Sequence, residues 1–317
     1  MGVVMKAKTI KQVLRKKIDE WLATIDDQHV RELASKNTIV TGGCIASMLL
    51  REQVNDYDLY FRNRETVVAV AKYYLARFSP KSRAGIPCAI SLDDEGERVR
   101  IVIRSSGIAS EDGAQKPYEY FEARQDGEAM GYVTEIMQDP GEIEDRHQET
   151  ETKALAVEDD GKPAYRPVFM STNAITLSHR LQIVIRFYGE PDQIHENYDF
   201  QHCTCYWTSW DGNLVLRPEA LETLLARELR YVGSRYPVCS VVRLRKFIQR
   251  GWSVNAGQIL KMCMQISALD LTKIEVLEDQ LTGVDTAYFL EVISKLKEKD
   301  PEKVNSAYLI EIVDRLF

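Results

Sequence analysis

Two adjacent glycines, Gly42 and Gly43, are followed thirteen residues later by Asp56 and, one tyrosine further on, Asp58. A glycine has no side chain to hold off a ligand, so backbone at such a pair can approach a phosphate closely. The apolar-periodic stretch just after them (Ile45, Met48, Leu49) predicts a short helix. Its N-terminus offers free N–H groups and the positive dipole end to an anion. Ser47, one turn into that helix, adds a candidate phosphate contact. Residues 57–61 alternate, with Tyr57, Leu59 and Phe61 on one side and Asp56, Asp58 and Tyr60 on the other. That pattern predicts a half-buried strand with both carboxylates on its polar face. Same-face carboxylates at this spacing can share divalent metals, and hard cations such as Mg²⁺ take carboxylates together with substrate phosphates. Phosphate cradle and metal ligands are thereby brought together.

The surrounding chain must position these residues. It has 317 residues, 44% of them apolar and 28% charged, enough to bury a core, so a soluble globular protein is expected and not a disordered or fibrous one. Spacing predicts an amphipathic helix over residues 9–25, a strand or turn over Thr38–Thr41, a helix over 64–78, and strands over 86–92 and 98–104. Periodicity is lost between 105 and 170, where Asp139–Asp160 holds nine acidic residues against Arg146 and Lys153. This stretch reads as irregular hairpins and a mobile acidic loop. Strands are predicted again up to Leu177, from Arg180 to Phe187, and over Tyr198–Thr208, with a short helix-compatible piece at Glu190–Asn197. From Arg217 the period is helical to the end, with the last stretches at 270–281, 284–297 and 302–316. The turn signal Trp210-Asp211-Gly212-Asn213 divides the chain into an α+β head, residues 1–212, and an all-helical part, residues 213–317.

Several classes are excluded or disfavoured. A formal net charge of −7 rules out a polycation that coats nucleic acid, so any such contact needs a local basic patch. No apolar run reaches the roughly 18–20 residues of a membrane helix, and the first residues lack a signal-peptide apolar region, so a cytoplasmic protein is expected. Six scattered cysteines fit reduced thiols. His202-Cys203-Thr204-Cys205 has metal-binding residue types, but strand alternation would set His202 opposite the two cysteines, and no second pair stands at zinc spacing. Walker, nucleophile-elbow and dinucleotide motifs are absent.

With its Gly-Gly turn, short helix and acidic-x-acidic strand, the stretch 41–61 resembles the polymerase-beta-type nucleotidyltransferase superfamily, which includes CCA-adding enzymes and poly(A) polymerases. The resemblance runs over residues 38 to about 208. It implies a mixed-sheet nucleotidyltransferase head, with Gly42 and Gly43 on the nucleotide and Asp56 and Asp58 holding two Mg²⁺ ions on the triphosphate of an NTP. The matching third carboxylate is Asp199, between Tyr198 and Phe200. Arg180 and Arg186, read as sharing a strand face with Gln182, would border the triphosphate.

The acceptor is sought in residues 217–250, where eight Arg or Lys stand against Glu219, Glu222 and Glu228, with aromatic residues interleaved. Arg243, Arg245 and Lys246 are the candidate RNA-backbone contacts. The leading expectation is NMP transfer from an NTP to an RNA 3′ end. Transfer to a protein or small molecule, and a catalytically inactive interaction protein with this fold, are the alternatives.

Overall fold

In the computed structural model, the glycine pair and the two aspartates sit at the end of one strand and the start of its neighbour, in an eight-stranded sheet. The structure describes residues 5–78, 88–94, 99–105, 118–119, 123–124, 163–170, 173–271, 273, 276 and 280. The acidic stretch 139–160 and the predicted helices at 284–297 and 302–316 lie outside the described residues.

Helix α1 (Ala7–Ala23) buries Ile10, Leu14, Ile18 and Trp21, spaced three or four apart so that they line one face. Each such side chain contributes roughly 1.5–3 kcal/mol relative to exposure. Helix α2 (Gln28–Asn37) starts where Asp27 accepts the Val30 N–H at 3.0 Å. The apolar pattern of α2 is weak, with only Val30 and Ala34 buried, and the periodicity of the sequence does not reveal it. Strand β1 (Thr38–Thr41), helix α3 (Gly43–Leu50), strand β2 (Tyr57–Phe61) and helix α4 (Arg64–Arg77) follow. Asn63 caps α4 by accepting the Thr66 N–H at 2.9 Å, and Trp21 ties α1 to α4 through its indole N–H on the Tyr74 hydroxyl at 2.7 Å.

Strands β3 (Cys88–Asp93), β4 (Arg100–Ser105) and β5 (Tyr118–Glu119) make a separate antiparallel sheet. Strands β6 (Ala123–Arg124), β7 (Pro167–Met170), β8 (Ala174–Leu177) and β9 (Leu181–Tyr188) return to the main one. After them come helix α5 (Pro191–His195), a 3₁₀ turn (Gln201–Cys203), β10 (Tyr206–Thr208) and β11 (Leu214–Val215). The order across the main sheet is β11-β10-β1-β2-β9-β8-β7-β6. β2 and β9 run parallel while the other pairs are antiparallel, so the chain is α+β with a mixed sheet, as its sequence pattern implies.

Alternation sorts the two faces. Val40, Leu59, Phe61, Ile183 and Ile185 join α1, α2 and α4 in the main core. Ile39, Tyr60 and Ile194 form a smaller cluster on the other face, with Val184, Tyr198 and Tyr206 against it. Asp58 points to this second face, level with Thr41 on β1 and Gln182 on β9.

Helices α6 (Pro218–Ala226), α7 (Pro237–Gln249) and α8 (Ala256–Ser267) are the described part of the helical region. They share the main core with the head through Leu224, Leu244, Trp252 and Met262. Backbone bonds seal the contact: Phe200 bridges Tyr231, and the Gln201 N–H meets the Arg230 carbonyl at 3.0 Å. Among the described residues no helix is long and apolar enough to cross a membrane, and Cys44, Cys203, Cys205, Cys239 and Cys263 are free thiols.

Three expectations are corrected. Residues 198–205 are not strand, because the Phe200–Tyr231 bridge and the 3₁₀ turn take up their backbone bonds, and the strand resumes only at Tyr206. His202 and Cys203 therefore lie on that turn. Arg180 is not on a strand face with Arg186; it sits in the tight turn before β9 with φ +59°. The segment 28–37, unassigned from periodicity, is helix α2.

Candidate active site

Gly42 lies between β1 and α3 with φ +89° and ψ −152°, a conformation that L side chains rarely adopt. A Cβ there would fall 2.8 Å from the Asp58 carboxylate oxygen Oδ2 and 3.5 Å from the Tyr198 hydroxyl. Only glycine lets the turn press against that carboxylate. The Gly42 N–H is spent on the Cys203 carbonyl at 3.2 Å, so it is not one of the free donors at the helix start. At Gly43 a Cβ would meet nothing within 4 Å, which marks the open side of the turn. No side chain caps α3, and the first-turn N–H groups of a helix have no partner within it.

Asp56 and Asp58 are both half-buried at the start of β2. Burial pushes the Asp56 carboxyl up, and the Arg250 guanidinium offsets part of that rise. The groups around the pair register its charge. Burial, and then the charges of Asp58 and Asp56, raise the Cys44 thiol well above its usual range. Burial and Asp58 raise the Tyr60 hydroxyl; burial, Tyr60 and Asp58 raise that of Tyr198. Burial, Asp199 and Asp58 raise the Cys203 thiol. Burial is the first reason these four groups hold their protons, and the carboxylate charges add to it, which is a negative field that a hard divalent cation would neutralise.

Thr41 is locked beside them. Its hydroxyl reaches the Cys205 carbonyl at 2.9 Å and the His195 Nε2 at 2.8 Å. A hydroxyl has one proton and a carbonyl only accepts, so His195 must present Nε2–H and keep Nδ1 as the bare acceptor. His195 is pulled down to about 4 by burial and by Arg217, with Asp192 opposing. His202, stacked 4.4 Å from Trp252 and 4.6 Å from Phe247, is pulled down to about 4 by burial, with Asp199 opposing and Arg250 adding to the fall.

These two histidines set an acid limit on stability. Their folded values lie below the roughly 6.5 of an unfolded histidine, so between pH 6.5 and 4 the unfolded chain binds protons that the folded one does not. Their contribution is complete above pH 6.5, is lost as the pH falls through that window, and levels off below 4. Each is worth up to about 3 kcal/mol. Urea unfolding midpoints measured from pH 7.5 to 4 are expected to fall accordingly, and His202→Phe is expected to flatten the profile; an unchanged slope in that variant would refute the assignment.

The other predicted site residues scatter. Asp199 is buried, but not on a strand beside β2; its Oδ2 lies 2.6 Å from Arg243 Nη1. Its neighbour Tyr198 is the residue that turns toward Gly42 and Asp58. Arg180 donates to the Val54 carbonyl at 3.0 Å. Arg186 is buried with its guanidinium 4.4 Å from the Tyr236 ring centre and bonded to the Tyr236 hydroxyl. Ser47 is half-buried on α3, and Arg245 and Lys246 are half-buried on α7. The local excess of positive charge over 217–250 is smaller in space than in sequence: Arg217, Arg227, Arg230 and Arg243 pair with Asp192, Glu52, Glu222 and Asp199. The sequence reading gave no site role to Thr41, His195, Tyr198 or Cys203. Tyr198 and Cys203 flank residues it had singled out, whereas nothing in the pattern marks Thr41 or His195.

Among solved structures the chain is similar to the Thermotoga maritima CCA-adding enzyme complexed with tRNA, at 11% identity over 94% of this chain and 53% of that one, with a TM-score of 0.36. A CCA-adding enzyme with CTP matches at 12% identity, over 96% and 52% of the two chains, with a TM-score of 0.40. The Bacillus stearothermophilus CCA-adding enzyme in complex with CTP matches at 11%, over 88% and 52%, with 0.35. The chain spans about half the length of these proteins, and the likeness is distant in all three. No curated protein matches it. The family model described as "Gabija anti-defense 2 family protein" matches residues 12–227, a span that holds the glycine turn, both β2 aspartates, His195 and Asp199. With more than half of its residues inside that match, the chain belongs to the Gabija anti-defense 2 family.

Proposed function

We propose that this protein is a metal-dependent nucleotidyltransferase that acts against the Gabija defence, moving a nucleoside monophosphate from an NTP to an acceptor hydroxyl. The observation that carries the reading is the Gly42 turn: a positive-φ glycine set against the Asp58 carboxylate, at the uncapped start of α3, two strand positions from Asp56. Phosphate-binding backbone and paired carboxylates meet there at one point.

Asp56 and Asp58 supply the hard oxygen donors that suit Mg²⁺, two ions in the full reading. Among the described residues no cluster of three His, Cys, Asp or Glu side chains stands ready for a metal, which fits a cation that takes one or two carboxylates and completes its shell with water and substrate phosphates. When bound, the metal would lower the pKa of the acceptor hydroxyl and neutralise charge on the phosphates. The chain's own part is positional. The α3 start orients the triphosphate, and the protonated Cys44, Tyr60 and Tyr198 keep further negative charge away from it. The acceptor hydroxyl gives its proton to water as its oxygen bonds to the α-phosphorus, the bond from that phosphorus to the bridging oxygen breaks, and pyrophosphate leaves.

An RNA 3′ end is the first acceptor to test. A protein acceptor is the second reading, favoured by the inward pairing of Arg243 with Asp199, which removes one charge from the expected RNA surface. The protein would be incubated with each α-labelled NTP, Mg²⁺ and a cell extract, RNA and polypeptide being resolved separately, beside Asp56→Ala/Asp58→Ala. Label on RNA or on protein, absent with the double variant, is the expected result and names the acceptor. If no label appears, and the double variant relieves the Gabija defence in cells as well as the wild type does, the protein is an interaction protein and the enzymatic reading is wrong.

A further inference from the structure

Thr41 and Asp58 stand opposite each other on β1 and β2 and share one face of the sheet. In such a pair the Cβ atoms lie about 4.5–5.5 Å apart, within reach of a hydroxyl and a carboxylate. A carboxylate is also a stronger acceptor than a neutral carbonyl. The Thr41 hydroxyl nevertheless turns elsewhere: it lies 2.9 Å from the Cys205 carbonyl and 3.3 Å from that of Cys203.

His195 accounts for that choice. Its ring is buried at the end of α5, edge-on to Tyr198 at 5.0 Å and tilted against Tyr206 at 5.7 Å, with Nε2 2.8 Å from the Thr41 hydroxyl. Among the described residues Nδ1 has no hydrogen-bond partner, so the ring spends its polarity on Thr41. The Nε2–H donated to Thr41 fixes the oxygen and leaves the hydroxyl's single proton for the carbonyls behind it. Were Thr41 to swing toward Asp58, that buried N–H would be stranded, which is costly. The Cys203 carbonyl also accepts the Gly42 N–H at 3.2 Å, so the same contacts join Thr41 and the glycine turn to the 203–205 segment.

We infer that His195 and Thr41 are positioning residues of this site: His195 turns the Thr41 hydroxyl away from Asp58 and keeps its proton off the carboxylate that a divalent cation needs. The inference rests on the metal-dependent nucleotidyltransferase reading. Loss of the imidazole N–H frees Thr41 to donate to Asp58, and a cation must then displace that bond. Loss of the hydroxyl as well removes the competitor.

Mn²⁺ binding would be measured from the EPR signal of the free ion for the wild type, His195→Phe, His195→Phe/Thr41→Val and, to define the site, Asp56→Ala/Asp58→Ala, with circular dichroism to check folding. His195→Phe is expected to bind Mn²⁺ on the order of 10-fold more weakly than the wild type, and the double variant His195→Phe/Thr41→Val to recover most of that loss. If either phenylalanine variant does not fold, the same comparison is made with His195→Asn, whose amide is too short to reach Thr41. A histidine that only packs would leave the double variant as weak as the single one or weaker. That result, or unchanged affinity in the folded single variant, overturns the inference and leaves the nucleotidyltransferase reading intact. A folded wild type that binds no more Mn²⁺ than Asp56→Ala/Asp58→Ala overturns the metal-dependent reading, and the inference with it.

Discussion

Asp58→Asn is expected to lower the rate of nucleotidyl transfer by about 10³-fold while the protein stays folded. The substitution keeps the side chain's size and removes its charge. Charge is what the site uses, because stabilisation of a phosphoryl-transfer transition state comes from fixed charges and a bound cation more than from covalent work by the protein. Stability should hold or rise slightly. Asp58 adds to the raised proton affinity of Cys44, Tyr60, Tyr198 and Cys203, so its charge is crowded in the cation-free protein. Initial rates and thermal unfolding of the same preparation separate the two effects. A variant that retains the wild-type rate would remove Asp58 from the metal site; a variant that fails to fold would give the residue a structural role instead.

Gly42→Ala is expected to cost about 10²-fold in rate, and to do so by geometry. The added Cβ would stand 2.8 Å from Asp58 Oδ2, closer than real contacts allow, so the carboxylate must move. A displacement on the order of 1 Å at a catalytic group is enough for a loss of this size. The positive φ adds roughly 1–3 kcal/mol of backbone strain, read as a lower unfolding midpoint. Gly43→Ala is the informative partner. Its Cβ meets nothing in the protein, and a helical position favours alanine over glycine by up to about 1 kcal/mol. Its stability should hold or increase, while activity should fall if a phosphate uses the open side of the turn. Equal activity in Gly42→Ala and wild type would overturn the account of the turn given above.

The contrast between these two glycines shows how far a sequence pattern reaches. Gly-Gly, the following short helix and the Asp-x-Asp strand are legible because each is local: a turn needs glycine's freedom, a helix repeats about every 3.6 residues, and a strand alternates every two. Side-chain alternation likewise places Asp58 on the face opposite Leu59 and Phe61, and the structure has it there. Helices α1, α3 and α4 and strands β1 to β4, β8 and β9 follow from the same periods. Helix α2 escaped because only Val30 and Ala34 are buried on it, so its start is marked by the Asp27 cap more than by an apolar stripe.

What the amino-acid order determined alone is therefore the local chemistry: a glycine turn beside a pair of carboxylates, with the mixed-sheet head that carries them. What only the tertiary structure decided is who stands next to whom. Asp199 reads as a free third carboxylate and is bound to Arg243, forty-four residues on, and the basic stretch 217–250 is partly neutralised by acids that are distant in sequence. The packing of Phe247 and Trp252 on His202 likewise joins the end of α7 to the head, a contact that no local pattern marks. Periodicity constrains the direction of a side chain on its own element, but electrostatic pairing depends on distance through space, and that distance is set only when the helices dock on the sheet.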